Sequence, residues 1–134
     1  MNNLVVRHLI LMTAIIMLCA QSCKKPKADT IKGLISKDLE IANLEGLLKE
    51  RPDVILLDVR TPKEVAGGKI PNAKEIDYRS NDFEEKIAKL DKNKSYVIYC
   101  KSGGRSSKVL AIMKEKEFKE CYNLVGGYTA YAKK

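Results

Sequence analysis

The 134-residue sequence has no tryptophan, two phenylalanines and one histidine, His8. Aromatic residues make up 6% of the chain, too few for a surface that stacks splayed RNA bases. His8 lies ahead of any strand or helix pattern, so no histidine remains in the domain to serve a serine nucleophile as base. The four cysteines are irregularly placed and form no Cys-x-x-Cys pair, which argues against a disulfide scaffold and against zinc. No metal or organic cofactor is therefore expected. No repeat of roughly 20–50 residues recurs, so a solenoid is excluded. What is present is ordinary for one folded domain, 45% hydrophobic and 31% charged residues. The net charge of +8 favours anionic partners without naming them. Nucleic acid is not among those expected, because the lysines are scattered and aromatics are scarce.

The N-terminal segment has a pattern of its own. Arg7 and His8 precede Leu9–Leu18, which is apolar apart from Thr13, and no charge returns until Lys24. The uncharged stretch Leu9–Ser22 is 14 residues, whereas a spanning helix needs about 20. A basic start, a short apolar middle and the small residues Ala20 and Ser22 make residues 1–22 a secretory signal peptide. The run shows no polar face at helical spacing, which argues against a buried helix. Its end, Leu18-Cys19-Ala20-Gln21-Ser22-Cys23, resembles a bacterial lipobox. That resemblance implies lipidation of Cys23, although Gln21 and the lack of leucine three residues before Cys23 depart from the commonest pattern. The expectation is an exported protein on the periplasmic face of a bacterial membrane, lipid-anchored at Cys23, or soluble in the periplasm if Cys23 is not lipidated. Residues 23–33, with Lys24, Lys25 and Lys27 near the anchor, read as a tether, and 34–134 as the domain.

The domain alternates strands and helices. Val54–Val59 is a continuous aliphatic run, as expected of a parallel strand buried on both faces. Thr61-Pro62-Lys63-Glu64 opens a short helix with Thr61 as cap, Pro62 at its first position and Glu64 closing a capping box, and Gly67-Gly68 stops it. Ala73–Ile76 is a short strand. Asp82 caps a helix with Phe83, Ile87 and Leu90 at helical spacing. Tyr96–Tyr99 is a buried strand, and from Ser106 a helix carries Val109, Leu110, Ile112 and Met113 on one face. Cys121–Val125 is a further strand, closed by Gly126-Gly127 and a short terminal helix, while Asn43–Lys49 is an early helix with Leu44, Leu47 and Leu48 inward. Such alternation with short links predicts an α/β fold, a parallel sheet of about five strands with helices on both faces. Ligands of these sheets bind beyond the carboxyl ends of the strands, where Asp58, Arg60 and Cys100 converge.

Cys100 follows a buried strand directly and precedes Lys101-Ser102-Gly103-Gly104-Arg105-Ser106 and a helix. Glycines let such a loop curl until successive N–H groups point at one atom, and the helix N-terminus adds positive potential. With the cations Lys101 and Arg105, these features favour thiolate over thiol at Cys100, and thiolate is the nucleophile.

The segment Cys100–Ser106 resembles the active loop of single-domain rhodaneses, the thiosulfate sulfurtransferases. Leu57-Asp58-Val59-Arg60 with the downstream Glu64 is similar to the family's Asp-Val-Arg segment. Gly68-Lys69-Ile70-Pro71-Asn72-Ala73 is similar to its Gly-His-Ile-Pro-Gly-Ala turn, and Asn123-Leu124-Val125-Gly126-Gly127 to its Asn-Leu-x-Gly-Gly ending. The matches run in family order from about Ile35 to Ala132. Departures are Lys69 for His, Asn72 for Gly, Glu117 for Gly before Phe118, and Tyr131 for Trp. The resemblance implies the rhodanese-like fold and a Cys100 persulfide. Sulfur would pass from thiosulfate or a similar anionic donor to cyanide or a thiol, with Lys101, Ser102, Gly103, Gly104, Arg105 and Ser106 binding substrate. It further implies that Asp58 and Arg60 form an internal ion pair supporting the loop, in a monomer without cofactor.

Glu64 is expected to cap its helix, and Cys121 to be a buried strand residue, with resolution of an oxidised Cys100 as the other reading. Two other functions compete. Phosphatases and arsenate reductases of a related fold carry Cys, five residues, then Arg, usually with His before the Cys. Here four residues separate Cys100 from Arg105, and Tyr99 precedes the thiol, a tighter loop suited to one sulfur. The other competitor is a non-enzymatic persulfide carrier supplied by a partner protein.

Overall fold

The computed structural model describes residues 33–134, which form one compact unit. The expected signal peptide, Cys23 and most of the tether lie outside the described residues. The chain runs β1 (Ile35–Leu39), α1 (Ile41–Glu50), β2 (Ile55–Asp58), α2 (Pro62–Val65) and β3 (Lys74–Glu75). It continues through α3 (Phe83–Ala88), β4 (Ser95–Tyr99), α4 (Gly104–Glu115), β5 (Glu120–Leu124) and α5 (Gly127–Tyr131). The five strands form one sheet in the order β1-β5-β4-β2-β3, with every neighbouring pair parallel.

Side chains along a strand point alternately to the two faces, and the sheet builds a core on each. On one face Leu57, Tyr96, Ile98, Cys100 and Cys121 pack with Phe83 and Ile87 of α3 and Val109 and Met113 of α4. On the other Leu56, Val97, Tyr99 and Leu124 pack with Leu44 of α1, Ile70 and Ala73, with Tyr128 and Tyr131 of α5 against them. β4 is buried at every residue, so the uninterrupted apolar run is that of the middle strand. The same alternation puts Cys100 with Tyr96 and Ile98 on the face that packs against α4.

Strand limits differ from the sequence expectation by one residue at one or both ends, and α4 starts at Gly104 rather than Ser106. Thr61 caps α2 in a complete capping box with Glu64. Asp82 stands at the start of α3, but its side chain accepts no capping hydrogen bond; its carboxylate pairs with Lys86 at 2.9 Å instead. The backbone at Asp82 (φ −97°, ψ 10°) is not the extended conformation from which a cap side chain reaches forward. β1 has no counterpart in the aliphatic-run reading, because Ile-Ser-Lys-Asp-Leu buries only Leu39 and lies at the sheet edge against β5.

Candidate active site

β4 ends at Tyr99, and the chain crosses from sheet to helix through Cys100-Lys101-Ser102-Gly103. The Gly103 N–H donates to Cys100 Sγ at 3.2 Å, and φ 103° at Gly103, a left-handed conformation, turns the chain from the loop into α4. The Ser106 hydroxyl, one turn into α4, lies 3.6 Å from the same sulfur. Burial pushes the Cys100 thiol up. The backbone and hydroxyl of Ser106 and the backbone N–H groups of Ser102 and Gly103 outweigh it and bring the thiol below its ordinary value. The largest contributions to the lowering come from fixed dipoles. Arg105, by charge and hydrogen bond to the thiolate, adds the share that the sequence gave it, after its stronger pairing with Glu64. Lys101 is exposed, and Arg105 gives both terminal nitrogens to the Glu64 carboxylate, at 2.8 and 2.6 Å.

Glu64 therefore does more than cap α2. Its carboxylate accepts from Arg105, from the Thr61 backbone N–H and from the Thr61 hydroxyl. The Arg105 guanidinium, ahead of the Thr61 contacts, holds the Glu64 carboxyl far below the usual carboxylate range. The pair ties α2 to the first turn of α4. Nothing in the spacing of residues 64 and 105 announces that contact.

The loop is shaped from below by α5. The N–H groups of Tyr128 and Thr129 donate to the carbonyls of Cys100 and Lys101, at 2.8 and 2.9 Å. Holding those carbonyls toward α5 turns the following N–H groups to the opposite side of the loop, where Sγ sits. A Cβ on Gly127 would fall on the Cys100 carbonyl oxygen and within 2.9 Å of the Lys101 carbonyl, and φ there is 55°. Only glycine fits.

Asp58 and Arg60 form the expected internal pair. Asp58 is fully buried and Arg60 is 3% exposed. Arg60 Nη2 meets Asp58 Oδ2 at 2.6 Å, and Nε meets Oδ1 at 2.9 Å. The same guanidinium donates to the Gly68 carbonyl at 2.8 Å and lies 4.1 Å from the centre of the Tyr128 ring. It thereby joins the end of β2, the turn after α2, and the helix beneath the Cys100 loop. Removing either partner would leave a buried charge uncompensated, which is the costly case for such pairs. A cleft of about 250 Å³ opens here, lined by Arg60, Glu64, Lys101, Tyr128 and Thr129.

A string of contacts absent from the sequence reading reaches Ser106 from the far edge of the sheet. The Ser106 hydroxyl lies 2.7 Å from Asn123 Oδ1, and Asn123 Nδ2 donates to Asp38 Oδ1 at 2.8 Å. Asn123 drew notice only as part of a motif, and Asp38, on the unanticipated β1, drew none. Cys121 sits in the same core as Cys100 but is a different thiol, pushed up to about 12 by burial and by Glu120. Among the described residues no cluster of His, Cys, Asp and Glu is placed to hold a metal ion.

The parallel five-stranded sheet with a cysteine loop at its carboxyl edge agrees with what comparison with known proteins finds. The Rhodanese-like domain family model matches residues 41–134. The chain is 40% identical over 95 residues to "Putative sulfurtransferase YtwF" of Bacillus subtilis, covering 71% of this chain and 89% of that protein. It is 32% identical over 96 residues to a sulfurtransferase of Allochromatium vinosum, covering 72% and 88%. The crystal structure of a rhodanese-like domain protein from Staphylococcus aureus superposes with a TM-score of 0.64 at 34% identity, covering 71% of this chain and 90% of that one. The chain belongs to the rhodanese-like sulfurtransferase family.

Proposed function

We propose that this protein transfers sulfane sulfur from a small anionic donor, such as thiosulfate, to a thiol or cyanide through a persulfide on Cys100. The observation that carries this reading is a buried thiol whose sulfur faces the Gly103 N–H at 3.2 Å and the Ser106 hydroxyl at 3.6 Å. The thiolate attacks the outer sulfur of thiosulfate; a sulfur–sulfur bond forms, and sulfite leaves with the electron pair of the broken bond. Cyanide or a thiolate then attacks the terminal persulfide sulfur and carries it away, and the Cys100 thiolate is regenerated. A thiol acceptor leaves as a persulfide and cyanide as thiocyanate. Because the thiol is already lowered, the first step needs no general base. The N–H groups converging on the loop stabilise charge on the terminal sulfur. Lys101, exposed at the cleft, supplies attraction for the anionic donor. Arg105 shapes the loop through Glu64, and any contact it makes with a donor is shared with that carboxylate. Asp58 and Arg60 hold the loop's supports in register.

The assay that tests this reading is thiocyanate formation from thiosulfate and cyanide. The proposal expects turnover that is lost in Cys100→Ser, and no hydrolysis of a phenyl phosphate. Phosphate ester turnover without thiocyanate would replace the reading with a phosphatase. A stable persulfide that no small acceptor discharges would replace it with a carrier.

The proposal extends to the N-terminal segment. Residues 1–22 are removed as a signal peptide, and a lipid on Cys23 holds the domain at the periplasmic face of a bacterial membrane, where it acts as a monomer. The support is the short uncharged stretch ending at Ala20-Gln21-Ser22-Cys23. Fractionation of cells expressing the full chain tests it. Cys23→Ser moves the protein from the membrane to the soluble fraction under this proposal, and a cell-associated protein still beginning at Met1 would refute it.

A further inference from the structure

Ser106 has one hydroxyl proton and three acceptors within reach. They are Asn123 Oδ1 at 2.7 Å, the Gly103 carbonyl at 3.1 Å and Cys100 Sγ at 3.6 Å. The contact to Asn123 has the usual O–H···O length and is the shortest of the three. Its direction is decided one residue further away. An ionised Asp38 carboxylate only accepts, so the Asn123 Nδ2 that donates to it at 2.8 Å must face β1. The amide oxygen is thereby turned inward to Ser106, and an amide oxygen can only accept. Asn123, the Gly103 carbonyl and Sγ thus compete for a single proton. Ser106 is fully buried and Asn123 is 6% exposed, so water cannot relieve that competition.

We propose that Asp38 and Asn123 are positioning residues that set the direction of the Ser106 hydroxyl and so restrain the reactivity of Cys100 Sγ. Holding Asn123 in the accepting orientation draws the Ser106 proton away from sulfur. When Asp38 no longer fixes the amide, Asn123 turns its NH₂ to the Ser106 oxygen, and the hydroxyl proton is left to the Gly103 carbonyl and Sγ, so the share reaching sulfur rises. Asp38 lies on the exposed edge strand, 85 residues from Asn123 in sequence, so the surface of β1 reaches the reacting atom through three successive hydrogen bonds. The inference deepens the sulfurtransferase reading and rests on it for its relevance to turnover. The geometric claim about the thiol does not depend on it.

Other charges around this string are left in place by the test. They are Arg105 with Glu64 on α4 and α2, Arg60 with Asp58 at the end of β2, exposed Lys101 in the loop, and Lys37 over the Tyr122 ring beside Asp38. The second thiol, Cys121, shares the core.

The experiment follows alkylation of Cys100 by iodoacetamide against pH in the full chain, located by peptide mass spectrometry. Asp38→Ala moves the midpoint to lower pH, with the rate about threefold higher one pH unit below the wild-type midpoint. Asp38→Asn keeps an acceptor for Nδ2 while removing the charge, and it retains the wild-type profile. In a Ser106→Ala background Asp38→Ala changes nothing, because the proton being steered is gone. An unchanged profile in Asp38→Ala overturns the proposal. So does an equal shift in Asp38→Asn, or a shift that survives in Ser106→Ala, since either would mark a plain effect of removing a negative charge. No sulfur donor enters the measurement. Its failure leaves the sulfurtransferase reading standing, and failure of the thiocyanate assay leaves this one standing.

Discussion

Cys100 and Cys121 are each 1% exposed and belong to the same side of the sheet, yet their thiols move in opposite directions. Cys121 lies within β5, paired in register with Ser36 on one side and Tyr96 on the other, in a strand whose backbone groups serve the ladders. Burial pushes it up to about 12. Cys100 lies one residue past the end of β4, where the ladder has stopped and N–H groups are free to turn on sulfur. The same burial is there outweighed by hydrogen bonds. Depth in the core does not decide whether a thiol is reactive. The supply of unpaired donors at the sheet edge does.

The largest expected effect breaks that comparison outright. Cys100→Ser abolishes thiocyanate formation while the thermal transition is retained, because a neutral alcohol cannot take up sulfur. Cys121→Ser keeps most of the activity and loses about 1–3 kcal/mol of stability, the cost of a buried hydroxyl without a good partner, read by urea titration. Comparable activity losses in the two variants would contradict the contrast.

Next in size is Gly127→Ala. Its methyl would collide with the Cys100 and Lys101 carbonyls and impose a left-handed conformation on a residue that resists it. The expected outcome is a loss of at least about 1 kcal/mol in denaturant titration, with a rise in the Cys100 alkylation midpoint as the N–H groups turn away. Loss of stability with an unmoved midpoint would show that α5 supports the fold without orienting the loop.

A smaller effect sharpens the Cys121 side. Arg51 donates to Glu120 at 2.7 Å and lowers its carboxyl to about 2. A carboxyl depressed in the folded state adds stability that is present above its ordinary value near 4.5 and is lost as pH falls toward about 2. Glu120→Gln removes this acid-limb dependence, read from melting temperature between pH 5 and pH 2. It also lowers Cys121 slightly by deleting a neighbouring negative charge. An unchanged acid limb would mean that this carboxylate is not the source.

The smallest effect on the thiols is none at all. Glu117, after the end of α4, has φ 62°, a conformation costing a non-glycine residue about 1 kcal/mol. Glu117→Gly is expected to raise stability by about that much and to leave both alkylation profiles unchanged.

Much of this was legible in the residue order. The aliphatic runs of β2 and β4 read as buried parallel strands because both faces of the middle of the sheet are covered. The capping box at Thr61 and Glu64 is local and so visible locally. The Cys100 loop was legible because glycines next to a thiol and a helix start have few other uses. What stayed hidden depends on long-range contact. β1 lacks an apolar run because an edge strand buries little, and with it Asp38 went unseen. The bond between Glu64 and Arg105 spans 41 residues, and that between Asp38 and Asn123 spans 85. Asn72 and Glu117 read from sequence as bare departures from a glycine pattern, and both hold φ near 60°, the left-handed conformation that glycine adopts most readily.

The central claim is that sulfur is carried on Cys100 and not on its equally buried neighbour. Peptide-mapped mass spectrometry of the full chain after incubation with thiosulfate tests it directly. The account predicts a gain of about 32 Da, one sulfur atom, on the peptide containing Cys100, removed by cyanide and absent from the Cys121 peptide. A sulfur adduct that maps to Cys121, or one that survives in Cys100→Ser, would contradict it.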